Sequence, residues 1–153
     1  VDLAIGPRPS ATDEHVERLG QEELVVVAPT GQQLPDAVSF TDLAGRPFVH
    51  YAPDNGLSGW LDELAAAHGV VLDPVLRTRS PRTAAQLAAA GMGMTIVPVS
   101  ALASRPPGVV RPLDPPLHRD VVVVVASPSD ALAARFVADL RRRGLPQAAN
   151  VGL

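Results

Sequence analysis

One short run of residues limits the folds open to this chain more than any other feature. Leu24-Val25-Val26-Val27 is continuously apolar, and a second run of this kind covers Val121–Ala126. Such runs are typical of strands that are covered on both faces. Similar β-rich runs alternate along the chain with helical patterns, so the sequence predicts a mostly parallel α/β architecture whose sheet is covered by helices.

The predicted strands have short apolar cores and lie at Val1–Gly6, Glu23–Ala28, Pro47–Tyr51, Pro74–Arg79, Met94–Pro98, Val109–Arg111 and Asp120–Ala126. The predicted helices have apolar residues three and four positions apart and end at a glycine. They cover Leu57–His68, Pro81 to Gly91 after an N-cap at Ser80, and a segment that starts near Ser127 or Ser129 and ends at Arg143. The inward face predicted for the last helix is formed by Leu132, Phe136, Val137 and Leu140. Two proline-rich stretches, Arg105–Gly108 and Pro112–Pro116, predict turns.

Composition excludes several classes of protein. A hydrophobic fraction of 46% is enough for a sizeable core, and a net charge of −3 does not favour a nucleic-acid surface. The chain has no cysteine, which excludes disulfides and thiolate metal sites and is compatible with the reduced cytoplasm. No apolar run approaches the ~20 residues that cross a bilayer, so we expect no membrane contact. Residue 1 already lies in a strand-like run, so we recognise no signal peptide and expect a fragment of a longer protein.

The side chains that carry chemistry elsewhere do not form a catalytic pattern here. The histidines are dispersed and lack metal-ligand spacing, at His15, His50, His68 and His118. His50 lies inside an apolar strand, which indicates a satisfied core position. Asp62 and Glu63 are neighbours on a helix and do not face each other, so they are no acid/base pair. No G-x-S-x-G elbow occurs. We therefore expect no catalytic residues, no metal and no cofactor.

A few residues at strand-to-helix junctions have the properties of a ligand site. Asn55-Gly56-Leu57-Ser58 begins a helix, where unpaired backbone N–H groups and the positive end of the helix dipole attract anions. Ser80 occupies a similar junction, and Arg8 follows the first strand, where its guanidinium could pair with a carboxylate. The alternative is that Asn55 and Ser80 only cap their helices.

The order of the segments resembles the C-terminal half of a LysR-type bacterial transcription regulator. The segments that carry this resemblance are Val1-Asp2-Leu3-Ala4-Ile5-Gly6, Glu22–Pro29, Phe40–Val49 with its Asp42-Leu43-Ala44, and Ala88–Pro98 with its Gly91-Met92-Gly93. The resemblance implies a two-lobed fold of the type 2 periplasmic-binding-protein kind, with ligand bound in the cleft between the lobes. It also implies that Arg8, residues Asn55–Ser58 and, less directly, Ser80 line that cleft.

The same resemblance implies how the lobes are divided. Residues 28–124 correspond to an essentially complete second lobe, and residues 1–27 with 125–153 correspond to a remnant of the first. The strands that cross between the lobes would carry hinges at Val27, Ala28, Val125 and Ala126.

The function implied is that of a cytoplasmic small-molecule sensor and not of an enzyme. Its effector would be a carboxylate or another small anion. DNA would be bound only through a winged helix-turn-helix that this sequence does not contain, in a homo-oligomer of the full-length protein. The alternative is a solute-binding protein that serves a transporter and has the same fold. The upstream sequence distinguishes them, because a regulator has a helix-turn-helix there and a solute-binding protein has a signal.

Overall fold

The computed structural model describes residues 3–7, 15–125 and 131–144. The strands are β1 (Leu3–Pro7), β2 (His15–Ala28), β3 (Pro47–Tyr51), β4 (Asp73–Thr78), β5 (Thr95–Pro98) and β6 (Val109–Val125). The helices are α1 (Gly56–Ala67), α2 (Pro81–Leu87) and α3 (Ala131–Arg143). Short 3-10 turns cover Phe40–Leu43 and Val99–Ala101, and a wider turn at Ala88–Met92 extends α2.

The strands form a mixed arrangement. A sheet with the order β1-β6-β2-β5 contains antiparallel pairs, with Leu3 opposite Val125 and Leu24 opposite Pro98. β3 and β4 pair in parallel in a second sheet. The prediction of an α/β fold is confirmed, but the prediction of mostly parallel pairing is wrong, because an apolar run is equally compatible with a central antiparallel strand such as β2.

The described residues divide into two compact units. Unit 1 contains residues 3–7, 15–22, 118–125 and 131–144, and unit 2 contains residues 23–117. β2 and β6 each contribute residues to both units. The chain passes from one unit to the other between Glu22 and Glu23, and again between Leu117 and His118.

The core of unit 2 is built on β2 and β5. Leu24, Val25, Val26 and Val27 are fully buried, as the apolar run predicted. α1 adds Leu57, Leu61 and Ala65 to this core, and Trp60 and Leu64 pack against it while remaining partly exposed. The predicted inward face of α1 is therefore confirmed.

The inward face predicted for α3 is partly wrong. Val137 is buried, but Leu132 and Phe136 are 75% and 47% exposed. Ala133 is the second buried residue of the helix, and it packs with Val137 in the small core of unit 1. Positions 132 and 136 form a row beside positions 133 and 137 on the helix surface, so the apolar pattern alone allows either row to face inward.

β2 is longer than predicted because its polar half is also paired. Residues 15–22 are mostly polar, and two of their charged side chains form ion pairs with β6. Arg18 Nε lies 3.0 Å from Asp120 Oδ1, and Arg119 Nη2 lies 2.6 Å from Glu22 Oε1. The Glu22 side chain is only 4% exposed. A polar stretch thus continues the strand without an apolar run to signal it.

β6 is one strand where the sequence predicted two strands and a turn. The predicted turn at Pro112–Pro116 lies inside it. The carbonyl of Pro112 accepts a hydrogen bond from the Val38 N–H, and the Asp114 N–H donates to the Val38 carbonyl. Leu113, between them, bridges Val38. Extended backbone suits proline, whose missing N–H costs nothing where the ladder uses only its carbonyl.

The first 3-10 turn begins with two hydrogen bonds from Ser39 to the Asp42 carboxylate. The Ser39 backbone N–H and hydroxyl both donate to Asp42 Oδ2, at 2.8 and 2.9 Å. These bonds, the backbone one first, lower the pKa of Asp42 below its ordinary value; the Arg46 guanidinium lowers it slightly, and burial opposes the shift. The carboxylate therefore stabilises the fold only in its charged form.

We predict that Gly108→Ala destabilises the protein more than Gly31→Ala does. Both glycines have positive φ, +77° and +81°, so each alanine costs about 1–2 kcal/mol of backbone strain. At Gly108 the added Cβ would also lie 2.4 Å from the Ala28 carbonyl oxygen, whereas at Gly31 it meets nothing within 4 Å. This overlap should add about 1–3 kcal/mol. Equal free energies of unfolding for the two variants in urea would contradict it.

We predict that Asp42→Asn is destabilising at neutral pH, by about 1 kcal/mol, and that the difference from the unsubstituted protein shrinks below about pH 4. The folded pKa of Asp42 is lowered, so its stabilisation is complete above the unfolded pKa and is lost as the pH falls through the folded pKa. Melting temperatures at several pH values measure this. Asp36→Asn, at an exposed position, is the control for the change in charge.

Candidate functional site

The parallel pair β3–β4 brings two strand-to-helix junctions to one edge of unit 2. Tyr51 is opposite Thr78, and the Ala52 N–H donates to the Thr78 carbonyl at 2.9 Å. The carboxyl ends of the two strands therefore lie side by side. α1 follows β3 and α2 follows β4, so both helices begin at this edge. Ligands of α/β sheets commonly bind outside the carboxyl ends of the strands.

Asn55 connects the two junctions. Its Oδ1 accepts from the Leu57 N–H at 2.9 Å, which caps α1, and its Nδ2 donates to the Arg79 carbonyl at 2.9 Å. Ser80 caps α2, because its hydroxyl accepts from the Thr83 N–H at 3.3 Å. The capping role considered as the alternative for Asn55 and Ser80 is thus present in the structure, and the Asn55 bond to the Arg79 carbonyl joins the two junctions.

Ser58 lies just inside α1, together with an arginine that the sequence analysis missed. Its hydroxyl donates to the Tyr51 carbonyl at 3.3 Å, and the residue is 4% exposed. Arg77 Nη1 donates to the same carbonyl at 2.8 Å and to the Ser58 hydroxyl at 3.4 Å. Both contacts use Nη1, so Nε and Nη2 take no part in them. The side chain is otherwise largely exposed, and its charge lies beside the start of α1.

A second arginine lies at the same edge. Arg79 Nε is 3.1 Å from Asp54 Oδ2, with side chains 78% and 62% exposed. An ion pair this exposed is weak and easily exchanged for a ligand. The alternating Arg77-Thr78-Arg79 at the end of a predicted strand was the available sequence signal, since residues two apart on a strand share a face.

The remaining predicted site residues differ in their surroundings. Gly56 is exposed, and a Cβ added there would meet nothing within 4 Å. Leu57 is 5% exposed and belongs to the core of unit 2, so its side chain is directed into the protein. Arg8 lies outside the described residues. The structure therefore brings Asn55, Gly56, Leu57, Ser58 and Ser80 to one edge, with Arg77 and Arg79 added.

The residues predicted as hinges lie within the two long strands. Val27 and Ala28 are fully buried in β2, and Val125 is buried at the end of β6. Ala126 lies outside the described residues. The passages between the units, after Glu22 and after Leu117, fall on the same strands but at other residues.

His50 is a satisfied core residue, as the sequence indicated. It is 1% exposed, its Nδ1 accepts from the Tyr51 N–H at 2.7 Å, and its Nε2 lies 2.8 Å from Asp62 Oδ1. Since Nδ1 is an acceptor, the proton is on Nε2 and is donated to Asp62. The ring thus ties β3 to α1 one turn after Ser58.

Among residues 3–7, 15–125 and 131–144 there is no group of His, Asp or Glu side chains arranged to hold a metal ion. No helix in these ranges is long and apolar enough to span a membrane.

The family model of the LysR substrate binding domain matches residues 1–144. The chain belongs to this family. The LysR family match supports the resemblance seen in the sequence and favours a regulator's effector-binding domain over a transporter's solute-binding protein. No curated protein sequence matches the chain.

Solved LysR-family structures have the same fold. The regulatory domain of CcmR from Synechocystis PCC6803, in complex with 2-PG, is 20% identical with a TM-score of 0.79, over 96% of this chain and 76% of that chain. The effector-binding domain of QuiR, in complex with shikimate, is 22% identical with a TM-score of 0.75, over 94% and 71%. HinK, a LysR-family transcriptional regulator from Pseudomonas aeruginosa, is 16% identical with a TM-score of 0.79, over 93% and 52%. The chain thus spans about half of HinK, and its two-lobed fold is that of periplasmic-binding-protein-like effector domains.

We predict that Asn55→Ala destabilises this LysR-family domain by about 1–2 kcal/mol, because it removes the cap of α1 and the bond to Arg79. Asn55→Asp keeps the capping oxygen and should cost less. Free energies of unfolding from denaturant titrations measure both variants. If Asn55→Asp is as destabilising as Asn55→Ala, the cap of α1 contributes little and the lost bond to the Arg79 carbonyl accounts for the effect.

Proposed function

We propose that this chain is the effector-sensing part of a cytoplasmic LysR-type regulator and that it binds a small anion at the carboxyl edge of β3 and β4. The observation that carries the proposal is the guanidinium of Arg77 beside the first turn of α1. A fixed cation and the N–H groups of a helix start attract the same kind of ligand, a carboxylate or a phosphate. Among the relatives, QuiR is solved with shikimate, which is a carboxylate.

Each candidate residue has a proposed role in this site. The space where a Cβ of Gly56 would lie is open, and the absence of a side chain lets a ligand approach the backbone closely. Arg77 supplies the ionic contact, and Arg79 exchanges Asp54 for the ligand. Asn55, Ser58 and Ser80 hold the edge in place, and Arg8 adds a third cation.

Binding would act through the strands that connect the units. The proposed lobes are residues 28–124 and, as a partial lobe, residues 1–27 with 125–153. Val27, Ala28, Val125 and Ala126 are the proposed hinges, all on β2 and β6 or next to them. A ligand that binds one arrangement of the lobes more tightly shifts the population toward it. In the full-length homo-oligomer this shift would reach a winged helix-turn-helix that contacts DNA.

The test is a thermal-shift screen of small carboxylates and phosphates, with shikimate included, followed by calorimetry of each hit. We expect hits to be anionic and to raise the melting temperature in a concentration-dependent way. Arg77→Gln should weaken binding by about tenfold or more, since a hydrogen bond to a charged group is lost.

Arg105→Gln is the matched control, because it removes the same charge from an exposed residue of unit 2 that is far along the chain from this edge and does not line the cavity described below. It should leave the affinity of each hit unchanged. Hits that are bound equally well after Arg77→Gln, or neutral methyl esters that bind as tightly as the acids, would contradict the proposed site.

A further inference from the structure

A cavity of about 190 Å³ lies in unit 2 between α2 and the segment that follows β5. Its polar lining comes from Arg82 and Gln86, and its apolar lining includes Ala85, Leu102 and Pro107. None of these residues belongs to the candidate effector site. The cavity is smaller than the roughly 300–1,000 Å³ of sites for drug-sized ligands, so it suits a shorter molecule.

The polar side chains of this cavity are available to a ligand. In the described part of the chain, neither the Arg82 guanidinium nor the Gln86 amide forms an ion pair or a hydrogen bond. The two residues are four apart on α2 and therefore lie on the same helix face. A guanidinium and an amide placed in this way can both donate to one carboxylate.

The segment that supplies the cavity lining contains charged residues of one sign. Residues 74–113 contain no aspartate or glutamate. The arginines of this segment are Arg77, Arg79, Arg82, Arg105 and Arg111. Arg79 is paired with Asp54, but no acidic residue within the segment offsets the other arginines, and their charge favours an anion over a cation at the cavity.

The other residues that line the cavity are apolar. Ala85 is 3% exposed, and Leu102 packs against the core of unit 2. An aliphatic chain of a few carbons that covers this wall would remove apolar surface from water. The lining of the cavity thus contains both a cationic side chain and an apolar surface.

We propose that this cavity is a second ligand site, which binds a short aliphatic carboxylate. The carboxylate is held by Arg82 and Gln86, and the aliphatic chain lies on Ala85, Leu102 and Pro107. This site is additional to the proposed effector site and does not depend on it.

The experiment is a titration of the isotopically labelled chain with sodium hexanoate, followed by NMR. We expect saturable shifts of the backbone amides of residues 82–86 and 101–105. Hexanol, which lacks the charge, should bind about tenfold more weakly. Hexylammonium should cause no shifts there. Equal binding of hexylammonium and hexanoate would overturn the proposal, as would shifts that do not saturate.

Substitutions in and near the cavity test where hexanoate binds. Arg82→Gln should raise the dissociation constant of hexanoate by about tenfold or more. Arg105→Gln removes the same charge from the same acid-free segment without touching the cavity lining, and it should change the constant less than about twofold. Ala103→Leu fills the cavity from an exposed position and should abolish the shifts. Melting temperatures confirm that each variant is folded.

Two results separate this site from the proposed effector site. Arg77→Gln should leave the hexanoate shifts at residues 82–86 unchanged, even if it abolishes effector binding. Unaltered hexanoate affinity in Arg82→Gln, or shifts confined to residues 52–58, would refute the second site and leave the effector site as a separate question.

Discussion

The parallel pairing of β3 with β4 is the constraint on which the candidate site depends. Antiparallel partners would place the ends of these strands at opposite edges, and the starts of α1 and α2 would then lie apart. In the parallel pair, the bond from Ala52 to Thr78 and the Asn55 amide join the two junctions directly. The buried His50 ring holds α1 against β3 through Asp62, one turn further along the helix. The site is therefore a product of strand direction more than of any single ligand-binding residue.

Much of this arrangement could be predicted from local sequence. The apolar run at Leu24–Val27, the face of α1 and the junction at Asn55 each depend on residues that are close in the chain, where periodicity and capping rules apply. Arg77 could not be predicted in the same way. Its position beside Ser58 follows from the register of β4 against β3, and a single sequence does not state which strands are neighbours.

The wrong predictions for β6 and α3 also arise because contacts between distant residues cannot be read from one sequence. Pro112–Pro116 has the composition of a turn, yet the carbonyl of Pro112 and the N–H of Asp114 are used by Val38, a residue distant in the sequence. On α3 two neighbouring apolar rows were available, and the contact with Val123 and Val125 decides that Ala133 and Val137 face inward. In both segments the structure is determined by contacts with residues distant in the sequence, because the local pattern is compatible with either outcome.

The ion pair between Glu22 and Arg119 has a consequence for how the long strands find each other. The apolar run of β2 pairs with β5 and the apolar run of β6 pairs with β1, so neither run fixes how β2 aligns with β6. A slip of β2 against β6 by two residues would leave both of these pairings in place. The same slip would separate Arg119 from a carboxylate that is 4% exposed, and an unpaired buried charge is far more costly than an imperfect valine contact. One charged pair at the end of a repetitive run therefore distinguishes the native alignment from its near copies while the chain folds.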